Sequence, residues 1–180
     1  MKALLIISFV STITIHSFAQ ESRIVWNKTQ LLQWFDFAGH VNDTSRFDAE
    51  SFAEVRFTYN FKSPTNFSFD VFANFHKNLS WCKKEYQSED LLKHEQLHFD
   101  IAGLYSRKLK EAFETYQYSN DYKNEIQQIF NQKKIEYHLS QQQYDVETNH
   151  SLNKERQKDW EKYIHEQLNE PKFTFNYVKK

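Results

Sequence analysis

Ser88-Glu89-Asp90-Leu91-Leu92-Lys93-His94-Glu95-Gln96-Leu97-His98-Phe99-Asp100-Ile101 marks the point at which the chain changes its hydrophobic period. Upstream, Val55-Arg56-Phe57-Thr58-Tyr59-Asn60-Phe61 alternates apolar and polar residues, and Phe67, Phe69, Val71, Ala73 and Phe75 repeat the pattern. Period two places one face of a strand on a core. The intervening Lys62-Ser63-Pro64-Thr65-Asn66 carries turn chemistry, so the two runs are predicted to form an antiparallel hairpin. Ile24 to Trp26 and Leu31 to Phe37 are weaker strand or turn candidates. From Ser88 the spacing becomes helical: Ser88-Glu89-Asp90 can cap a helix, and Leu91, Leu92, His94, His98, Ile101, Ala102, Tyr105 and Leu109 share its inner side, to about Tyr116.

Ile126, Ile129, Phe130 and Tyr137 suggest a second helix. Polar Ser140 to Gln143 then leads into Tyr144-Asp145-Val146-Glu147-Thr148-Asn149-His150, predicted as a short polar segment ahead of a third helix. That helix is expected from about Asn153, with Trp160, Tyr163, Ile164 and Leu168 inward, and Pro171 stops it. Phe173-Thr174-Phe175-Asn176-Tyr177-Val178 alternates again as a terminal strand would. Strands followed by helices predict an α+β fold, an N-terminal antiparallel sheet followed by a helical half.

Met1-Lys2 followed by an apolar stretch and Ser17-Phe18-Ala19 reads as a signal peptide over residues 1–19, which makes residues 20–180 one exported domain, periplasmic or secreted. No other stretch approaches spanning length, so no membrane span is expected after cleavage. The formal net charge of −1 with both signs interspersed gives no electrostatic footprint for nucleic acid. Cys82 is the single cysteine, which excludes an internal disulfide and reads as a buried, inert thiol. Aromatic residues, 17% of the chain, must then supply the packing that disulfides do not.

His94-Glu95-Gln96-Leu97-His98 is an HExxH pentad on the predicted helix. Residues four apart share a helix face, so both imidazoles can bind one Zn²⁺ while Glu95 serves as general base and then acid. A hydrolytic zinc site takes three protein ligands. One turn past His98 stands Ala102, which has no donor atom, so the third ligand must come from elsewhere. His150 is the first choice, followed by Glu147 and Asp145, all in the polar segment. Asp100 points away from the metal side and reads as a salt-bridge partner, and Arg107 can reach a carboxylate packed on the same helix. Tyr144 is a candidate donor to a developing oxyanion, with a core tyrosine as the alternative.

Three blocks resemble a family of exported bacterial proteins of unknown function described as predicted zinc-dependent proteases. They are Trp34-Phe35-Asp36-Phe37-Ala38-Gly39; Ser80-Trp81 leading to Leu91-Leu92-Lys93-His94-Glu95-Gln96-Leu97-His98-Phe99-Asp100-Ile101 with Arg107; and Tyr144 to His150 with Gln157 and Trp160. The resemblance implies a zincin-like metallopeptidase whose pentad helix lies beneath an antiparallel sheet, with the sheet edge holding an extended peptide or protein substrate. The family usually carries glycine after the histidine of the third block, where this chain has Ser151. The expected activity is zinc-dependent hydrolysis of peptide bonds; the alternative is a non-catalytic exported metal-binding protein or an accessory protein of the envelope.

Overall fold

The computed structural model describes residues 22–170. The expected signal peptide, Pro171 and the terminal strand over 173–178 lie outside them. Strands β1 (Arg23–Val25), β2 (Ala49–Glu50), β3 (Ala53–Ser63), β4 (Asn66–His76) and β5 (Trp81–Cys82) precede helices α1 (Glu89–Thr115), α2 (Tyr122–Thr148) and α3 (Lys154–Asn169). The fold is α+β, with an antiparallel sheet first and three helices after it.

β3 and β4 form the hairpin predicted from their alternation, with Val55 opposite Ala73 and Phe57 opposite Val71. β1 adds to the other side of β4, giving the order β1-β4-β3, while β2 and β5 form a separate two-stranded ribbon. β1 covers only part of the expected Ile24–Trp26 run, and Leu31–Phe37 contains a short 3₁₀ turn at Trp34–Asp36 instead of a strand. Asp36 in that turn pairs with Lys77 at 3.0 Å, both side chains buried, and Ala38 N–H donates to the Lys77 carbonyl at 2.9 Å. The Trp34–Gly39 block therefore ties the N-terminal segment to the end of β4.

Ser88 caps α1 as expected, its hydroxyl accepting from Leu91 N–H at 3.2 Å. α1 lies against β4 and β3 and divides the core into two neighbourhoods. Around its first turns, Phe75, Leu97, Phe99, Ile101, Tyr144, Trp160 and Ile164 pack together. Farther on, Leu109 and Phe113 meet Phe69, Tyr118 and Ile126. Gly103 is the contact point for β1's neighbour Trp26, because a Cβ there would stand 2.3 Å from the indole ring. Trp26 Nε1 donates to Asp100 Oδ1 at 2.9 Å, so Asp100 anchors the N-terminal segment, and His165 Nε2 lies 3.8 Å from its other oxygen.

Three local expectations need correction. α2 runs unbroken through Tyr144–Thr148, because Ser140 to Gln143 contain no helix breaker; their polarity marks side chains that meet solvent or polar partners, not a loop. Tyr163 is 48% exposed, not inward, and Arg107 donates to the Leu168 and Glu170 carbonyls at the end of α3 instead of to a carboxylate. Those carbonyls close a helix C-terminus, where a guanidinium serves as a cap. Cys82 is buried as expected.

Candidate metal centre

The pentad occupies the second and third turns of α1, where His94 and Glu95 are buried and His98 is half-buried. The four-residue spacing brings the two Nε2 atoms to 3.2 Å. α2 runs alongside and inserts Asp145 between them: Oδ1 lies 3.3 Å from His94 Nε2 and 3.0 Å from His98 Nε2. Among the described residues, His94, His98 and Asp145 form a group whose donor atoms all lie within 4.8 Å of one another.

These separations suit a metal. Zinc bonds of ~2.0–2.1 Å in a tetrahedral shell set neighbouring donor atoms roughly 3.3 Å apart, and two imidazoles with one carboxylate are a donor set zinc accepts. Three polar atoms this close, one of them a carboxylate oxygen, call for a cation or a proton between them. His98 records that demand. Burial alone would depress its pKa, but its hydrogen bond to Asp145 and the charges of Glu95 and Asp145 outweigh it and lift the pKa to about 9. Burial would raise the Asp145 pKa, yet hydrogen bonds from the two imidazoles hold its carboxyl well below the usual carboxylate range.

Glu95 sits beside the cluster with 4% of its surface exposed, and its Oε2 is buried with no hydrogen-bond partner among the described residues. An orphaned buried carboxylate oxygen is costly unless something else uses it. On the far side, burial first, and then the charges of Glu95, Asp48 and Glu85, push the Cys82 thiol up to about 12.

The remaining candidates fall around this core. Asn149, His150 and Ser151 all have positive φ, at 46°, 49° and 75°. Three left-handed residues in series, none of them glycine, store strain of about 1–3 kcal/mol each, a cost found mainly at functional sites. The turn exists with Ser151 at the position where the resembling family has glycine. It brings His150 Nδ1 to 3.3 Å from Asp145 Oδ1 and rests the imidazole on Phe47, with ring centroids 4.7 Å apart. His150 is 44% exposed and stands outside the three-residue group. Glu147 faces elsewhere: it accepts from Gln143 and Trp160 Nε1, each at 2.8 Å, and from Arg156, clasping α2 to α3.

Tyr144 is fully buried beneath the imidazoles, its ring stacked on His94 at 4.6 Å. Its hydroxyl donates to Gln157 Oε1 at 2.7 Å and lies 3.2 Å from the His94 carbonyl. Burial raises its pKa strongly. The site also contains Gln141 and Gln157, which contact the Nδ1 atoms of His98 and His94 at 2.6 and 3.2 Å. Gln157 was visible in the sequence only through the family resemblance. Gln141 carries a weaker signal, its place one turn before Asp145 on the same helix face.

The signature of a family of bacterial proteins of unknown function (DUF922) matches residues 51–151, from the start of β3 to the left-handed turn. More than half of the chain is covered, and the chain belongs to that family. No curated protein and no solved structure matches it.

Proposed function

We propose that this DUF922 protein is an exported zinc-dependent metallopeptidase that hydrolyses peptide bonds. The observation that carries the proposal is the convergence of His94 Nε2, His98 Nε2 and Asp145 Oδ1 at 3.0–3.3 Å beside the unpartnered oxygen of Glu95. His94, His98 and Asp145 would hold the ion. Zinc, when bound, supplies Lewis acidity that brings the pKa of water toward neutrality and polarises a carbonyl.

Glu95 is the general base: it takes a proton from the attacking water and returns it to the leaving amine as the C–N bond breaks, so that peptide and water give a carboxylate and an amine. His150 is the exposed member of the neighbourhood, and we assign it to the substrate side, as a donor to the tetrahedral oxyanion. Tyr144, whose hydroxyl is engaged by Gln157, is assigned to holding His94 in place. Among the described residues no strand pairs with the outer edge of β3, which supports an extended peptide as substrate. The Phe52 carbonyl accepts from His76 N–H, so the alternate residues Ala53, Val55 and Phe57 turn their backbone groups outward; the Ala53 carbonyl is taken by the Tyr137 hydroxyl at 2.8 Å, which leaves Val55 and Phe57 for a peptide. A groove of about 460 Å³ separates that edge from Phe130, Lys134 and Tyr137 of α2. The composition of residues 1–19 supports export.

Elemental analysis of the purified protein tests the first step. Close to one zinc per chain is expected for wild type and none for His94→Ala; wild-type protein that takes up no zinc at micromolar concentration would sink the proposal. Zinc without peptide hydrolysis would instead favour a non-catalytic metal-binding protein.

A further inference from the structure

We propose that Gln141 and Gln157 are positioning residues that accept from Nδ1–H of His98 and His94, locking both rings with Nε2 toward Asp145. The consequence for zinc rests on the metal-site proposal; the lock itself rests on hydrogen-bond bookkeeping.

Gln141 Nε2 lies 2.9 Å from the His98 backbone carbonyl and 3.0 Å from the Tyr137 hydroxyl. A carbonyl only accepts, so this end of the carboxamide is the NH₂ group and the other end is the oxygen. That oxygen stands 2.6 Å from His98 Nδ1. It too only accepts, so Nδ1 carries the proton. Gln157 repeats the logic from another helix. Its Nε2 donates to Glu161 Oε1 at 3.0 Å, and a carboxylate only accepts. Its oxygen therefore receives the Tyr144 hydroxyl at 2.7 Å and His94 Nδ1 at 3.2 Å. Three helices thus hold one arrangement: α1 supplies the imidazoles, α2 supplies Asp145 and Gln141 one turn apart, and α3 supplies Gln157.

The neutral amide has a purpose a carboxylate would not meet. Asp145 and Glu95 already place two negative charges at the centre, enough to balance a divalent ion. A carboxamide orients an imidazole without adding a third, and its NH₂ end simultaneously grips a carbonyl or carboxylate that fixes its own rotamer. Partners of this kind set the orientation and basicity of a metal-bound histidine.

The test separates orientation from simple clamping between helices. Zinc affinity is measured by competition with a chromogenic chelator, with folding checked by circular dichroism. Gln141→Leu and Gln157→Leu are each expected to weaken binding by ~10–100-fold. Gln141→Glu loses the same NH₂ contacts as Gln141→Leu but keeps an acceptor at Nδ1, and is expected to bind zinc more tightly than Gln141→Leu. Equal losses in Gln141→Leu and Gln141→Glu, or no loss in either leucine variant, would overturn the proposal. Nitrogen-15 NMR of wild-type protein reads the ring protons directly: a proton on both Nδ1 atoms upholds the lock, an unprotonated Nδ1 on either ring overturns it. If wild type binds no zinc, the metal site fails while the same spectrum, recorded on metal-free protein at alkaline pH, still decides the lock.

Discussion

Near its C-terminal end, α1 presents Leu109 and Phe113 to Phe69, Tyr118 and Ile126; about four turns earlier it presents His94, Glu95 and His98 to Asp145, Gln141 and Gln157. The distal neighbourhood is aromatic throughout. Phe69 stacks on Phe113 at 4.3 Å, and Phe61 on Tyr122 at 3.8 Å, and even the Tyr118 hydroxyl is satisfied by the Phe113 carbonyl. The proximal neighbourhood buries His94 and Glu95, leaves His98 and Asp145 half-buried, and gathers carboxylates and imidazoles whose solvation is reduced. One helix therefore carries the means of stability and the cost of chemistry at opposite ends. A chain without disulfides, dependent on a hydrophobic core, keeps the two apart.

That division can be broken in graded ways. Glu95→Gln should lower turnover by ~10²–10⁴-fold while leaving zinc content intact and urea stability unchanged or higher, since it removes a buried charge lacking a partner at Oε2. Unimpaired hydrolysis of a peptide substrate by this variant would remove Glu95 from the chemistry. Phe113→Ala should do the reverse. It should cost ~3–5 kcal/mol of unfolding free energy by urea titration, with zinc stoichiometry retained in the protein that remains folded.

Within the proximal end, Asp145→Ala and His150→Ala should part company. The first should release zinc to a chelator that wild type resists; the second should retain it and lose turnover. Tight zinc in Asp145→Ala together with its loss in His150→Ala would restore His150 as the ligand. The smallest effect concerns Cys82. Burial, then the charge of Glu95, raises its thiol pKa to about 12 against an ordinary value near 9. The folded protein thus favours the neutral thiol, a contribution complete below pH 9 and lost as pH rises toward 12. Alkylation by iodoacetamide at pH 8.5 should be slow in the native protein, fast in urea, and modestly faster in Glu95→Gln than in wild type. Rapid native alkylation would show that the thiol is neither buried nor screened as described.

The hairpin and α1 were legible because period two and period 3.6 leave distinct traces, and Ser88 announced the helix start. The pentad was legible for the same reason, its spacing being local. The partners contributed by α2 and α3 are different in kind. Asp145 ranks third in the sequence because only the donor chemistry of zinc orders three residues of one polar segment, whereas the unbroken helix gives that carboxylate a fixed phase relative to α1. Gln141 and Gln157 are ordinary helix-forming residues whose value lies in which imidazole they meet, and no periodicity encodes a meeting across 43 or 63 residues. Tyr144 was readable as buried or as oxyanion donor; its surroundings place the hydroxyl against Gln157. The Trp34–Gly39 block was visible only as a resemblance, because its buried Asp36–Lys77 pair joins segments that no local pattern connects.

The left-handed run from Asn149 to Ser151 has a consequence for how this chain can vary. Asp145 sits one turn before it and Gln157 about one turn into the helix after it, so the run sets the relative phase of a proposed ligand and of the amide proposed to steady another. A single residue inserted between Asp145 and Asn149 would rotate everything downstream by ~100° about the axis of α2. Glycine at Ser151 would relax the backbone and leave that phase untouched. The turn can therefore drift in composition but not in length, and an insertion there would disconnect α3 from the centre without altering any residue that touches it.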